Sequence, residues 1–122
     1  ANRVGETVRI QFLRSVDLMG RLRQAATDDY ETPEEWIDDL IRGRGYIFID
    51  DLGTERPTEF VQEKLFDLFD RIELHNRHGV IITTNLNADE LADRLGTRTA
   101  FRIINEFEPI LFSGKNRRMA GE

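Results

Sequence analysis

The chain has 122 residues, which is enough for one small domain with a single hydrophobic core. It contains no cysteine, which excludes disulfides, thiolate metal ligands and cysteine nucleophiles. Its net charge of −6 argues against general electrostatic capture of nucleic acid by this chain alone, and no apolar stretch approaches the length of a membrane span. We therefore expect a globular, cytoplasmic protein with no membrane partner.

The amino-terminal third predicts one strand and two helices. Apolar and polar residues alternate over Val8–Leu13, which is typical of a strand with one solvated side, at an edge of a sheet. Ser15 follows and is a candidate N-cap for a helix that ends near Ala26. Thr32 and Glu35 have the spacing of a capping box, which predicts the start of a second, short helix.

The stretch from Tyr46 to Ile49 consists of four large β-forming residues without alternation, which predicts a strand buried on both faces in a parallel sheet. Asp50 and Asp51 follow this strand directly. Ligands of open α/β sheets bind at the carboxyl ends of the strands, and two adjacent carboxylates there favour a cation. The pattern indicates a Mg²⁺ site shared with substrate phosphates, and an ordinary strand end followed by a turn is the alternative.

The rest of the chain alternates helices and strands. A long amphipathic helix is predicted from Thr58 to Asn76, and Gly79–Thr84 is a second strand without alternation, followed by Asn85. Asn87 with Glu90 predicts another capped helix. A further helix and a last strand complete the series, over residues 99–105 and 107–112, and Pro109 places that strand at a sheet edge. The order β-α-α-β-α-β-α-α-β predicts an α/β fold with a parallel sheet flanked by helices.

Four motifs in this order resemble one family. Ile47–Gly53 resembles a Walker B strand, and Val80–Leu86 resembles a sensor 1 strand. Asp89–Arg102 resembles the segment that carries an arginine finger, and Phe112–Arg118 resembles the closing segment. Together they resemble the carboxyl-terminal part of the AAA+ core of replicative helicase loaders of the DnaC/DnaI type, a core shared with the IstB transposition helper ATPases.

The resemblance implies a role for each polar residue at the two strand ends. Asp50 would bind Mg²⁺, directly or through water, next to ATP. Asp51 would polarise the attacking water, although many AAA+ proteins have Glu at this position. Asn85 would hold that water against the γ-phosphate. These roles agree with phosphoryl transfer, which depends on positioning and on charge neutralisation.

The resemblance also assigns arginines. Arg102 would be the finger that reaches the nucleotide of a neighbouring subunit, with Arg98, one helical turn earlier, as the second choice. Arg117 would sense phosphate. The alternative for Arg98 and Arg102 is that, with Arg94, they form a solvated row on one helical face, paired with nearby acids. Those acids are Asp89, Asp93 and Glu106.

The family's Walker A loop, Gly-x-x-x-x-Gly-Lys-[Ser/Thr], does not occur in these 122 residues. Residues 1–122 therefore resemble a partial AAA+ domain that lacks its first strand and P-loop, and Ala1–Glu6 resembles the end of the helix after that loop. The family's sheet order is 5-1-4-3-2, so loss of the first strand leaves a gap beside the sensor 1 strand. We expect weak or no nucleotide binding by this chain alone.

The function implied by the resemblance is that of an ATP-dependent helicase loader in DNA replication. ATP hydrolysis in the intact, oligomeric protein would control binding to single-stranded DNA and to a replicative helicase or transposase. The alternative is a non-catalytic α/β interaction module that keeps the fold and has lost ATP binding.

Overall fold

The computed structural model describes residues 9–110. Over this range, three strands and five helices alternate in the predicted order. The strands are β1 (Ile10–Arg14), β2 (Tyr46–Asp50) and β3 (Val80–Ile82), and the helices are α1 (Ser15–Ala26), α2 (Pro33–Arg42), α3 (Glu59–Leu74), α4 (Ala88–Leu95) and α5 (Thr97–Glu106).

The three strands form one parallel sheet in the order β1-β2-β3. This confirms the predicted α/β class with a parallel sheet. The strand order also agrees with the expected one, because β2 lies between β1 and β3 in the described sheet. The last predicted strand is wrong for Phe107–Ile110, which form no strand, whereas Leu111 and Phe112 lie outside the described residues. Phe107 instead packs its ring edge-on against Phe69, with the centroids 6.1 Å apart, which fixes the end of α5 on the core.

The core lies on one face of the sheet and contains buried residues from all five helices. Ile47 and Ile49 of β2 are fully buried on this face. The predicted stripe of α3 packs against them, as do residues of α1 and α2. The stripe consists of Val61, Leu65, Leu68 and Ile72, all of them buried.

The prediction that both faces of β2 are buried is wrong. Within the described residues, the helices that build the core pack on the side of Ile47 and Ile49, and the other side of the sheet is open. Strand register brings apolar side chains of all three strands together on this open face, where the rings of Phe12 and Phe48 lie 5.3 Å apart. The open face consists of Ile10, Phe12, Tyr46, Phe48 and Ile81, which are exposed or half-buried.

Two of the predicted helix starts have the expected caps. The side chains of Thr32 and Asn87 each accept the backbone N–H three residues later, and Glu35 and Glu90 complete the two capping boxes. The prediction for Ser15 is wrong, because the N-cap of α1 is Arg14, which makes no side-chain cap bond. Ser15 is the first helical residue and is completely buried, so its hydroxyl is directed into the protein.

Arg77 closes the loop that leads into β2. Its guanidinium donates to the backbone carbonyls of Ile41 at 2.8 Å, Gly43 at 3.0 Å and Gly45 at 3.0 Å. The Ile41 carbonyl lies in the last turn of α2, where backbone acceptors have no partner within the helix, and the other two carbonyls lie in the loop after it. One side chain from the turn after α3 thus fixes the end of α2 and the beginning of β2.

Candidate functional site

The two acids lie where the carboxyl ends of β2 and β3 meet. Because Ile49 pairs with Ile82, the next residues of the two strands, Asp50 and Thr83, are neighbours. The Thr83 hydroxyl donates to Asp50 Oδ1 at 2.6 Å and accepts the backbone N–H of Asp51 at 2.9 Å. A single hydroxyl therefore positions both members of the acid pair.

Asp51 changes the direction of the chain directly after the strand. Its φ of 58° lies in the left-handed region, which Asp tolerates better than most residues with a side chain. Its side chain is exposed, whereas its backbone N–H and that of the next residue are bonded to Thr83, directly after β3. The N–H of Leu52, the next residue, donates to the Thr83 carbonyl at 2.8 Å. These bonds hold a conformation that would otherwise cost free energy, and they leave the carboxylate accessible to solvent.

The residues after Asp51 are also fixed from several sides. The carbonyl of the buried Leu52 accepts the Thr84 hydroxyl at 2.7 Å. The N–H of Gly53 donates to the hydroxyl of Ser15 at 3.4 Å, and the Gly53 carbonyl accepts a bond from the Arg94 guanidinium. The loop that follows the acids is therefore joined to β3, α1 and α4.

Asn85 lies two residues beyond Thr83, in the turn between β3 and α4, and its side chain is exposed. It makes no side-chain hydrogen bond within residues 9–110, so its amide is available to a ligand. The structure thus brings Asp50, Asp51 and Asn85 to the same edge of the sheet, as the sequence predicts.

The two arginines predicted as fingers lie on α5, against α3. Arg102 Nη2 lies 2.8 Å from Asp70 Oδ1, and Nη1 forms an ion pair with Glu73. The guanidinium of Arg98 lies 3.9 Å from the centroid of the Phe66 ring. Since α3 starts after the carboxyl end of β2 and runs back along the sheet, Asp70 and the residues near it lie toward the opposite end of the strands. The structure therefore does not bring Arg102 near the acid pair of the same chain.

The interpretation of the arginines as one solvated row is wrong. Gly96, with a φ of 99°, ends α4 and precedes α5, so Arg94 belongs to a different helix from the other two arginines. Within residues 9–110, none of the three arginines forms an ion pair with Asp89, Asp93 or Glu106, the acids expected for the row. Their partners are instead the Gly53 carbonyl, the Phe66 ring and the acids of α3. The other predicted site residue, Arg117, lies outside the described residues.

The oxygen ligands at this edge fit Mg²⁺. Carboxylate, amide and hydroxyl oxygens are the hard ligands that this ion prefers. Asp50 uses Oδ1 to accept the Thr83 bond, which leaves Oδ2 for a cation. In the described part of the chain no three His, Cys, Asp or Glu side chains come together as a metal cage, so Mg²⁺ here would need phosphate or water oxygens as well.

Three contributors to this site are not identified by the sequence analysis: Thr83, Ser15 and Arg94. Thr83 carries a signal that could have found it, because it ends the strand that pairs with β2 and so must face the end of that strand. Ser15 and Arg94 carry none, since their bonds to Gly53 span 38 and 41 residues of sequence.

The sequence matches no protein-family model and no curated protein. The structure is similar to the crystal structure of the DnaC helicase loader, with a TM-score of 0.64 and 24% sequence identity over 83% of this chain. The chain covers 59% of that protein's chain. The likeness concerns the fold, and it agrees with the predicted α/β fold with a parallel sheet flanked by helices. No helix in residues 9–110 is both long enough and apolar enough to cross a membrane.

Proposed function

We propose that residues 1–122 are part of a AAA+ ATPase domain of the helicase-loader kind. In the intact protein, ATP hydrolysis with Mg²⁺ would control binding to single-stranded DNA and to a replicative helicase or transposase. One observation carries this proposal: Asp50, Asp51 and Asn85 meet at the carboxyl ends of β2 and β3, in a fold similar to that of the DnaC helicase loader.

Each residue of the acid pair has its own task. Asp50, fixed by Thr83, would hold Mg²⁺, and that ion would supply charge neutralisation for the phosphates. Asp51 is exposed and unpaired by any cation of the described residues, so it accepts a proton from, or orients, the attacking water. Asn85, with its amide free of side-chain bonds within residues 9–110, orients the same water.

We infer that Arg98, the second choice of the sequence analysis, is the arginine that would reach a neighbouring subunit, and the contacts of α5 support it over Arg102. Arg102 forms ion pairs with two acids of its own chain, Asp70 and Glu73. Both ion pairs would have to break before Arg102 could contact another subunit. Arg98 has an exposed side chain, and among residues 9–110 its aromatic contact is with the face of Phe66. Stacking on a ring face leaves the guanidinium N–H groups free to donate to phosphate.

A second candidate function is a non-catalytic interaction module. It is supported by the absence of a Gly-x-x-x-x-Gly-Lys-[Ser/Thr] loop from the 122 residues, because without its backbone amides the phosphates have no cradle. The acid pair argues for the ATPase, since two adjacent carboxylates at the carboxyl end of a parallel strand favour a bound cation.

The test compares nucleotide binding and ATP turnover by this chain with those of a version extended toward the amino terminus by a Walker A segment. We expect only the extended version to bind and hydrolyse ATP. In that version Asp51→Asn should lower kcat by about a hundredfold or more and leave ATP binding intact, as expected for loss of a general base. Asp29→Asn, in an exposed loop, is the matched control and should change neither property.

If the extended version binds no nucleotide, the ATPase proposal is overturned and the interaction module takes its place. If Asp51→Asn hydrolyses ATP at the unaltered rate, the role given to Asp51 is wrong.

A further inference from the structure

Gly53, two residues after Asp51, is hydrogen-bonded through both its backbone N–H and its backbone carbonyl. Its N–H donates to Ser15 at the start of α1, and its carbonyl accepts from Arg94 on α4. Gly53 itself is buried and has a φ of 92°, and a Cβ at this position would collide with the side chain of Leu86. The chain can therefore neither slide nor rotate here without breaking a hydrogen bond.

A second arginine makes the reciprocal contact between the same two elements. Arg56, in the loop after Asp51, donates to the Asp93 carbonyl at 2.9 Å and to Asp93 Oδ2 at 2.8 Å. Arg94 thus reaches from α4 to the loop, and Arg56 reaches from the loop to α4. We call residues 51–57 the acid loop, and the two arginines are the links that join it to α4.

The two links differ in what they hold. Arg56 is exposed and bonded to the end of α4, so water can replace much of its contact. Arg94 is half-buried and donates to a buried backbone carbonyl, which would lose its partner if the guanidinium were removed. A charged donor to a backbone carbonyl is among the stronger protein hydrogen bonds. Arg94 is therefore the stronger link.

The links connect the acid loop to the helix pair that carries the other predicted arginines. Helix α4 ends at Leu95, and after Gly96 the chain continues as α5, with Arg98 in its first turn. A displacement of this helix pair would pull on the Gly53 carbonyl through Arg94. Because Asp51 lies only two residues away and in a left-handed conformation, such a displacement would change its orientation.

We propose that Arg94 is a positioning residue that couples the placement of Asp51 to the position of the α4–α5 pair. The proposal rests on the proposed ATPase function for its catalytic consequence, whereas the coupling itself is a property of this chain. A neighbouring subunit that binds to α5 would shift the α4–α5 pair. Arg94 would then transmit this shift to the acid loop of the chain to which α5 belongs.

The catalytic test uses the extended version with Arg94→Met and Arg94→Lys. We expect Arg94→Met to lower kcat about tenfold to a hundredfold while KM changes less than about twofold, because misplacing a catalytic group affects the chemical step more than binding. Arg94→Lys keeps a cationic donor and should recover part of kcat. Arg42→Met is the matched control, since Arg42 is 73% exposed and its ion pair in the described part of the chain is with Asp38 of its own helix.

The structural test uses the 122-residue chain and amide hydrogen exchange, with no nucleotide. We expect Arg94→Met to speed exchange at Leu52 and Gly53, and to leave the amides of α2 at their unaltered rates. Arg42→Met should change neither set. Unchanged exchange at Leu52 and Gly53 in Arg94→Met would overturn the coupling.

The two proposals fail separately. If the unaltered extended version hydrolyses no ATP, the proposed function fails and the exchange measurement still decides the coupling. If that version is active and Arg94→Met keeps its kcat, or loses kcat only in proportion to the fraction unfolded, the positioning role is overturned and the ATPase proposal stands.

Discussion

At the scale of single residues, Thr83 holds the acid pair in place, whereas Asn85, the residue that the sequence analysis assigns to the site after β3, does not. The Thr83 hydroxyl is donor to the Asp50 carboxylate and acceptor for the Asp51 N–H, whereas Asn85 is exposed. A short hydroxyl–carboxylate bond is charge-assisted and about twice as strong as a neutral one. Thr83 therefore fixes the geometry that the acid pair needs, and Asn85 remains available for a ligand.

We predict that Thr83→Val destabilises the chain by about 1.5 kcal/mol or more, because the substitution keeps the shape of the side chain and removes both the hydrogen bond to the Asp50 carboxylate and the acceptor of the Asp51 N–H. Urea denaturation of the 122-residue chain measures this difference in the free energy of unfolding. Thr54→Val is the control, since the Thr54 side chain is exposed and makes no hydrogen bond within residues 9–110. Equal stability of the two variants would show that the Thr83 bond contributes nothing to the fold.

At the scale of elements, helices α2 and α3 are joined by an ion pair between Glu34 and Lys64. The hydrogen bond to Lys64 lowers the pKa of Glu34 below its ordinary value of 4.5. The same bond, made to Glu34, raises the pKa of Lys64 above its ordinary value of 10.5. Lys64 is the more buried partner, at 15% side-chain exposure against 42% for Glu34, so the pair is partly screened by solvent.

The direction of these shifts sets a pH dependence. A carboxylate with a lowered pKa stabilises the fold above its ordinary pKa and loses that contribution as the pH falls through its folded pKa. The lysine contribution is present below pH 10.5 and is lost as the pH rises through its raised pKa. We therefore expect Lys64→Met to be destabilised relative to the unaltered chain by about 0.5 to 1 kcal/mol at neutral pH.

This difference should shrink below pH 4.5 and above pH 10.5. Urea denaturation of both proteins across the pH range measures it, with Arg42→Met as a control for loss of an exposed cation. A difference between Lys64→Met and the unaltered chain that is independent of pH would mean that packing of the lysine stem, and not the ion pair, joins the helices.

At the scale of the whole molecule, the open face of the sheet is the feature that a stable monomer would not be expected to show. Phe12 is 57% exposed and Ile10 is 61% exposed, and they are continuous with Tyr46, Phe48 and Ile81 on the neighbouring strands. Contiguous apolar surface of this kind favours association with other molecules. The edge of β3 that does not face β2 adds backbone groups without a strand partner in the described sheet.

We predict that the 122-residue chain self-associates in solution and that Phe12→Thr shifts it toward the monomer, because the substitution removes an exposed aromatic side chain from the open face and keeps a good strand former. Sedimentation velocity at several protein concentrations measures the shift. Tyr30→Thr is the control, since Tyr30 is 94% exposed in the loop between α1 and α2, away from the sheet. The same sedimentation profile for both variants would exclude the open face as the site of association.

The sequence by itself determined the kinds of element, their order and the place of the acid pair. Hydrophobic periodicity distinguishes helix from strand, capping residues mark helix starts, and both are local properties that act over a few residues. Alternation of helix and strand then leaves a parallel sheet as the compact arrangement, which brings the ends of β2 and β3 together. Asp50, Asp51 and Asn85 could be placed at one edge on that basis alone.

Only the tertiary structure decided which face of β2 is covered and which partners the long side chains take. A strand of large apolar residues reads the same whether helices lie on one side or on both, because periodicity records no neighbours. Arg77, Arg94 and Arg102 each bond to at least one group that is 32 or more residues away, at a position fixed by the packing of whole helices. Ser15 likewise has the composition and spacing of a helix cap, and only burial directs its hydroxyl to Gly53.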